Sequence, residues 1–144
     1  MFKKVYSLES LKKTVLKQKS KGKKIILCHG VFDLLHIGHI KHFNEAKSLG
    51  DILIVTVTPD KYVGKGLNRP VFTLSNRMES IAALKNVDYV VPNLSANAVQ
   101  PIKILKPNIY CKGKDYKNHD SDITGQIKEE GALAYIKDKF SFFD

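Results

Sequence analysis

The chain has 144 residues, 43% of them hydrophobic and 26% charged, and a net charge of +10. These figures fit a single globular domain and exclude a disordered chain, a collagen-like repeat and a disulfide scaffold. No apolar run reaches membrane-spanning length, and the start Met1-Phe2-Lys3-Lys4 leads into no apolar signal core, so a cytoplasmic protein without a membrane span is expected.

In chain order, Leu8, Leu11 and Val15 recur at helical spacing behind Ser7, which predicts an amphipathic helix over 8–19 ending at Gly22. A short strand over 24–28 and a Gly-containing turn follow, then a helix over about 38–49 closed by Gly50. Residues 52–57, Ile-Leu-Ile-Val-Thr-Val, form the β-branched apolar run of a parallel strand covered on both faces. Residues 64–70 read as a loop, 74–85 as a helix and 89–91 as a strand. A helix near 98–106 must hold Pro101 in its first turn. A strand over 108–112, a polar loop over 113–121, a helix near 122–130 and a fifth strand over 132–136 complete the chain. Alternating strands and helices predict an α/β fold, a Rossmann-like parallel sheet of about five strands with helices on both faces. Ligands of such folds bind at the carboxyl ends of the strands.

The charge is uneven. Residues 1–24 hold nine Lys and one Glu, a net +8, so the rest of the chain is nearly neutral. No nucleic-acid reading motif accompanies them, and a solvated helix face is the plain reading; attraction to anionic membrane or nucleic acid is the alternative. Cys28 and Cys111 each lie in a short apolar run and read as buried, reduced thiols.

Four of the five histidines fall between 29 and 42. His36 and His39, with Gly38 between them, open the predicted second helix. A helix N-terminus already favours phosphate, and two imidazole N–H groups add donors. Gly30 and Gly38 leave room for a close backbone approach. The physical reading is a triphosphate cradle. A metal site through His29, Asp33 or His42 lacks standard zinc spacing, and His42 reads as a packed or solvated residue.

This run resembles the HxGH signature of the nucleotidylyltransferase superfamily, in the cytidylyltransferase-like branch that contains glycerol-3-phosphate cytidylyltransferase and D-glycero-β-D-manno-heptose 1-phosphate adenylyltransferase. The resemblance extends from Lys24 to Asp122. It takes in Gly30-Val31-Phe32-Asp33-Leu34-Leu35-His36, Leu49-Gly50-Asp51, Thr58-Pro59-Asp60, Asn68-Arg69-Pro70, Arg77, Val87-Asp88-Tyr89-Val90-Val91 and Lys112-Gly113-Lys114-Asp115-Tyr116. His36-Ile37-Gly38-His39 also spells the HIGH motif of class I aminoacyl-tRNA synthetases, but the KMSKS-type loop and the length are absent.

The resemblance implies transfer of a nucleotidyl group from a nucleoside triphosphate to a phosphorylated sugar or polyol, with release of pyrophosphate. It implies catalytic roles for His36, His39, Lys65 and Arg77, and nucleotide contacts from Gly30, Val31, Phe32, Asp33, Gly38, Gly113, Asp115 and Tyr116. Mg²⁺ would arrive with the triphosphate. ATP with a sugar 1-phosphate is the preferred pair, and CTP with glycerol 3-phosphate or a similar polyol phosphate is the alternative. A homodimer and a fused sugar-kinase-like domain are further implications. Relatives carry a Ser/Thr-rich segment after the fifth strand. This chain instead reads Lys137-Asp138-Lys139-Phe140-Ser141-Phe142-Phe143-Asp144, which leaves open a trimmed enzyme, a piece of a longer protein, and a domain that binds nucleotide without catalysis.

Overall fold

A computed structural model describes residues 4–64, 66, 68–95, 97–112 and 132–135. The elements are α1 (Leu8–Ser20), β1 (Ile25–Gly30), α2 (Ile37–Lys47), β2 (Ile52–Val57), a single 3₁₀ turn at Asp60–Tyr62, α3 (Leu74–Ala82), β3 (Tyr89–Pro92), α4 (Val99–Leu105), β4 (Ile109–Lys112) and β5 (Ala132–Tyr135). The strands form one sheet in the order β3-β2-β1-β4-β5. All four pairings are parallel. The predicted helix near 122–130 lies outside the described residues.

The period of two along each strand sorts the core into two layers. Ile26 and Cys28 of β1, with Leu53, Val55 and Val57 of β2, pack against Phe43 and Ala46 of α2 and Ile81 and Ala82 of α3. Ile25 and Leu27, with Ile54 of β2 and Val91 of β3, pack against Leu8, Leu11 and Val15 of α1 and Ile102 and Leu105 of α4. Helices α2 and α3 therefore cover one face, and α1 and α4 the other. Ser7 caps α1 through its side chain, which accepts from the Ser10 N–H. At the sheet edge, Val5 bridges to Val90, so the outer side of β3 is partly paired.

Two boundaries differ from expectation for long-range reasons. Strand β1 runs to Gly30 because its pairing with β2 continues through His29↔Thr56 and Gly30↔Val57. Helix α3 stops at Ala82: tighter bonds from Leu84 N–H to Ile81 O and from Val87 N–H to Leu84 O turn the chain, and Asp88 then anchors to the Leu53 backbone. Cys28 and Cys111 are register partners on β1 and β4, both buried free thiols. The hydrogen bond with Cys111, together with burial, holds the Cys28 thiol well above its usual range, so it stays protonated and unreactive.

The sheet order reverses between β1 and β4. That switch point sets the crevice in which a doubly wound sheet binds its ligand. The loop after β1, residues 31–36, and the first turn of α2 sit at its carboxyl edge.

Candidate active site

His36 is the N-cap of α2, with extended backbone (φ −139°, ψ 178°). Its Nδ1 accepts from the Gly38 N–H at 3.0 Å, and His39 Nδ1 accepts in return from the His36 N–H at 3.2 Å. The two imidazoles thus form a reciprocal capping box, a part usually played by Ser/Thr and Glu/Gln. Because each Nδ1 accepts a backbone proton, the proton of each neutral ring resides on Nε2. The rings lie 4.1 Å apart between centroids, at 42°. His36 is exposed and His39 half-buried. The first turn of α2 carries no acidic residue, so the positive end of the helix dipole is not offset there. The result is two adjacent Nε2–H donors on a helix N-terminus whose first turn carries no acid, with Gly38 buried between them.

The preceding loop is held in a costly backbone shape. Phe32 and Leu34 have φ of 52° and 56°, the left-handed region that residues with a Cβ rarely adopt. Three sets of contacts impose it. The Phe32 ring packs edge-on against Phe43 and His39, at 5.0 and 5.6 Å. Asp33, with its side chain 1% exposed, accepts from the Val71 N–H at 2.7 Å, the Phe72 N–H at 2.9 Å and Arg69 Nη1 at 3.2 Å. Burial alone would raise the Asp33 pKa, but the two backbone N–H groups and Arg69 outweigh it and hold the carboxyl below its ordinary value. Finally, Arg77 Nη1 donates to the Val31 carbonyl at 2.8 Å.

These contacts give three of the expected site residues structural roles. Both oxygens of Asp33 staple the 69–72 loop to the β1 loop. A Cβ at Gly30 would lie 2.7 Å from Phe32 Cζ, so the packing of the ring itself requires glycine there. Arg77 is 2% exposed, and four of its five N–H groups serve the protein. Besides Val31, it donates to Phe72 O (3.0 Å), Thr58 O (2.8 Å) and Asp60 Oδ1 (2.7 Å). Together these bonds form a clamp that ties the carboxyl ends of β1 and β2 to the start of α3. Thr58 and Asp60 stand out in the sequence only as part of the resemblance. Their role in the clamp leaves no residue-type signal, because most of its acceptors are backbone carbonyls. Lys65, Gly113, Asp115 and Tyr116 lie outside the described residues.

A cleft of about 440 Å³ opens beside the cradle, lined by Phe32, Leu34, Leu35, His36, Phe72, Arg77 and Ser80. Among the described residues, no group of three or more His, Cys, Asp or Glu is placed to hold a metal ion.

One turn along α2, His42 is buried, and burial lowers its pKa to about 4 from an ordinary 6.5. It is a packed residue. Since its folded pKa is depressed, the unfolded chain binds the proton first as the pH falls. Stability is therefore full above pH 6.5 and declines towards pH 4, by roughly 3 kcal/mol in all. Urea unfolding at pH 7.5 and 5.0 should show a loss of about 2 kcal/mol that His42→Leu abolishes. The lowered Asp33 group loses its contribution only below its ordinary value of 3.8, so it does not act in this window. An equal loss in the variant would assign the pH dependence elsewhere.

Comparison with known proteins agrees with this geometry. The family model described as cytidylyltransferase-like matches residues 27–137. The chain is 43% identical over 138 residues to the bifunctional protein HldE of Helicobacter hepaticus, covering 93% of this chain and 28% of that protein. It is 37% identical over 129 residues to the bifunctional protein HldE of Aliarcobacter butzleri, covering 86% and 27%. The chain thus spans about a quarter of the length of the curated relatives it matches. Among solved structures, the lipopolysaccharide core biosynthesis protein from Thermoplasma volcanium superposes with a TM-score of 0.71 at 29% identity, covering 81% of this chain and 98% of that one. With its parallel sheet, its switch-point cradle and a family match across most of its length, the chain belongs to the cytidylyltransferase-like family.

Proposed function

We propose that this domain transfers an adenylyl group from ATP to a sugar 1-phosphate, as the adenylyltransferase of a heptose-1-phosphate pathway would. The observation that carries the reading is the pair of Nε2–H donors on the N-terminus of α2, at the carboxyl edge of the sheet. The relatives named HldE favour this acceptor over glycerol 3-phosphate.

In this reading the substrate is the Mg²⁺ complex of the triphosphate, with the ion held by phosphate oxygens and water. The helix dipole and the two imidazoles neutralise charge that grows on the α-phosphoryl oxygens and the leaving pyrophosphate. An acceptor phosphate oxygen attacks the α-phosphorus in line, the bond to the bridging oxygen breaks, and pyrophosphate departs. No enzyme nucleophile is needed. The strained 31–36 loop, fixed by Asp33, Phe32 and Arg77, keeps His36 in place before substrate arrives.

By family resemblance, Lys65 is assigned to the phosphates, and Gly113, Asp115 and Tyr116 to base and ribose. The segment that carries the last three follows β4, the neighbour of β1 at the switch point. The short coverage of relatives named bifunctional supports a second, sugar-kinase-like domain as partner. A cytoplasmic location and a homodimer belong to the same reading. No described helix is long and apolar enough to cross a membrane.

Calorimetric titration with ATP and CTP in Mg²⁺, followed by pyrophosphate release with heptose 1-phosphate or glycerol 3-phosphate, tests the proposal. ATP should bind more tightly, and release should require the sugar phosphate. Selective CTP binding would move the domain to the cytidylyl branch. ATP binding without release would make it a nucleotide-binding domain, and no binding by folded protein would overturn the reading.

A further inference from the structure

The positive charge of this chain is concentrated on a face that the candidate active site does not use. Helix α1 turns Leu8, Leu11 and Val15 to the core and leaves Lys12, Lys13 and Lys17 exposed. The turn into β1 adds exposed Lys21, Lys23 and Lys24, and the neighbouring helix α4 adds Lys103 and Lys106. Lys19 donates to the Lys106 carbonyl, so the two basic stretches are joined. The ion pairs Lys47–Asp88, Arg69–Asp33 and Arg77–Asp60 involve none of these exposed lysines. Among the described residues, the nearby acids are Glu9 on α1 and Asp51, which accepts from the Lys24 backbone N–H at 2.7 Å. The surface covers the sheet face opposite α2 and α3, so it cannot serve the phosphates at the cradle.

We propose that the α1–α4 face docks this protein onto an anionic lipid surface. Charge alone would also suit a nucleic acid, but the makeup of the face favours lipid. It holds lysine and no arginine; the chain's two arginines, Arg69 and Arg77, are engaged with Asp33 and Asp60. Among the described residues it offers no open aromatic platform: Tyr6 packs edge-on against Tyr89 at 5.2 Å. Nucleic-acid surfaces rely on guanidinium and stacking contacts. Leu16 instead stands 59% exposed among Lys12, Lys13 and Lys17. An aliphatic side chain ringed by lysines matches a headgroup layer, where the ammonium groups meet lipid phosphates and the side chain enters the acyl boundary. Docked this way, the carboxyl edge of the sheet stays open to soluble substrates.

Co-sedimentation of the full chain with phosphatidylcholine vesicles, with and without phosphatidylglycerol, tests this directly. Binding should require the anionic lipid and weaken with salt. Each lysine contributes roughly fivefold, so Lys12→Glu/Lys13→Glu/Lys17→Glu should weaken it by at least about a hundredfold. A matched thermal melt shows that the triple variant is folded. Leu16→Ser should weaken vesicle binding while leaving any binding to duplex nucleic acid unchanged. No binding to anionic vesicles at low salt, equal binding by the folded triple variant, or tighter binding to duplex nucleic acid at matched salt would each overturn the proposal.

Discussion

Replacing His36 with Asn should lower the rate of nucleotidyl transfer by about 10²–10³ and leave the protein as stable as before, because the two roles of this imidazole separate by atom. Nδ1 is the cap: it accepts from the Gly38 N–H at 3.0 Å. Asn, one of the strongest N-cap residues, offers its amide oxygen to the same donor. Nε2–H is the chemical group, and Asn has no donor of that reach. His36→Ala removes both, so it should lose the same rate and also about 1 kcal/mol of stability.

The parallel change at the third helical position is His39→Gln. A Gln there can return the bond to the His36 N–H, now accepted at 3.2 Å, as in an ordinary capping box. It should lose the rate with only a small stability cost from the lost ring contact with Phe32. The readouts are pyrophosphate release in a single turnover and urea unfolding, on the same samples. A His36→Asn protein that kept its wild-type rate would sink the cradle reading, whatever the stability data showed.

That separation explains why this part of the site is legible in the sequence. Two histidines three apart around a glycine at a helix start are local information, and the capping box they form needs no other part of the chain. The layers are legible for a similar reason: the β-branched run at 52–57 and the stripe of Leu8, Leu11 and Val15 state their own burial. The roles of Gly30, Asp33 and Arg77 are not local. Gly30 is small because of a ring two residues on that folds back, and the fold-back needs a left-handed Phe32. Asp33 is satisfied by the N–H groups of Val71 and Phe72, 38 and 39 residues away. Backbone donors and acceptors are carried by every residue type, so no pattern of side chains announces them. A charged residue beside the cradle is then naturally read as a ligand, although its contacts within the protein are those of a strut.

The strut reading of Arg77 has its own large expected effect. Arg77→Ala should destabilise the fold by about 3–5 kcal/mol, because it strips partners from buried carbonyls of Phe72, Val31 and Thr58 and leaves a cavity where a 2% exposed side chain had been. Arg77→Lys should recover little of this. One ammonium cannot span four acceptors that a planar guanidinium reaches with three nitrogens. Asp60→Asn should cost only about 1 kcal/mol: the Asp60 side chain is 49% exposed, and the amide oxygen can still accept from Nη2. Triphosphate affinity should fall in Arg77→Ala together with stability, since the same clamp holds the Val31 end of the loop that leads to His36. A direct phosphate ligand would behave in the opposite way, with affinity lost, stability nearly unchanged and substantial rescue by lysine. Urea unfolding and nucleotide titration of the three variants therefore decide between clamp and ligand.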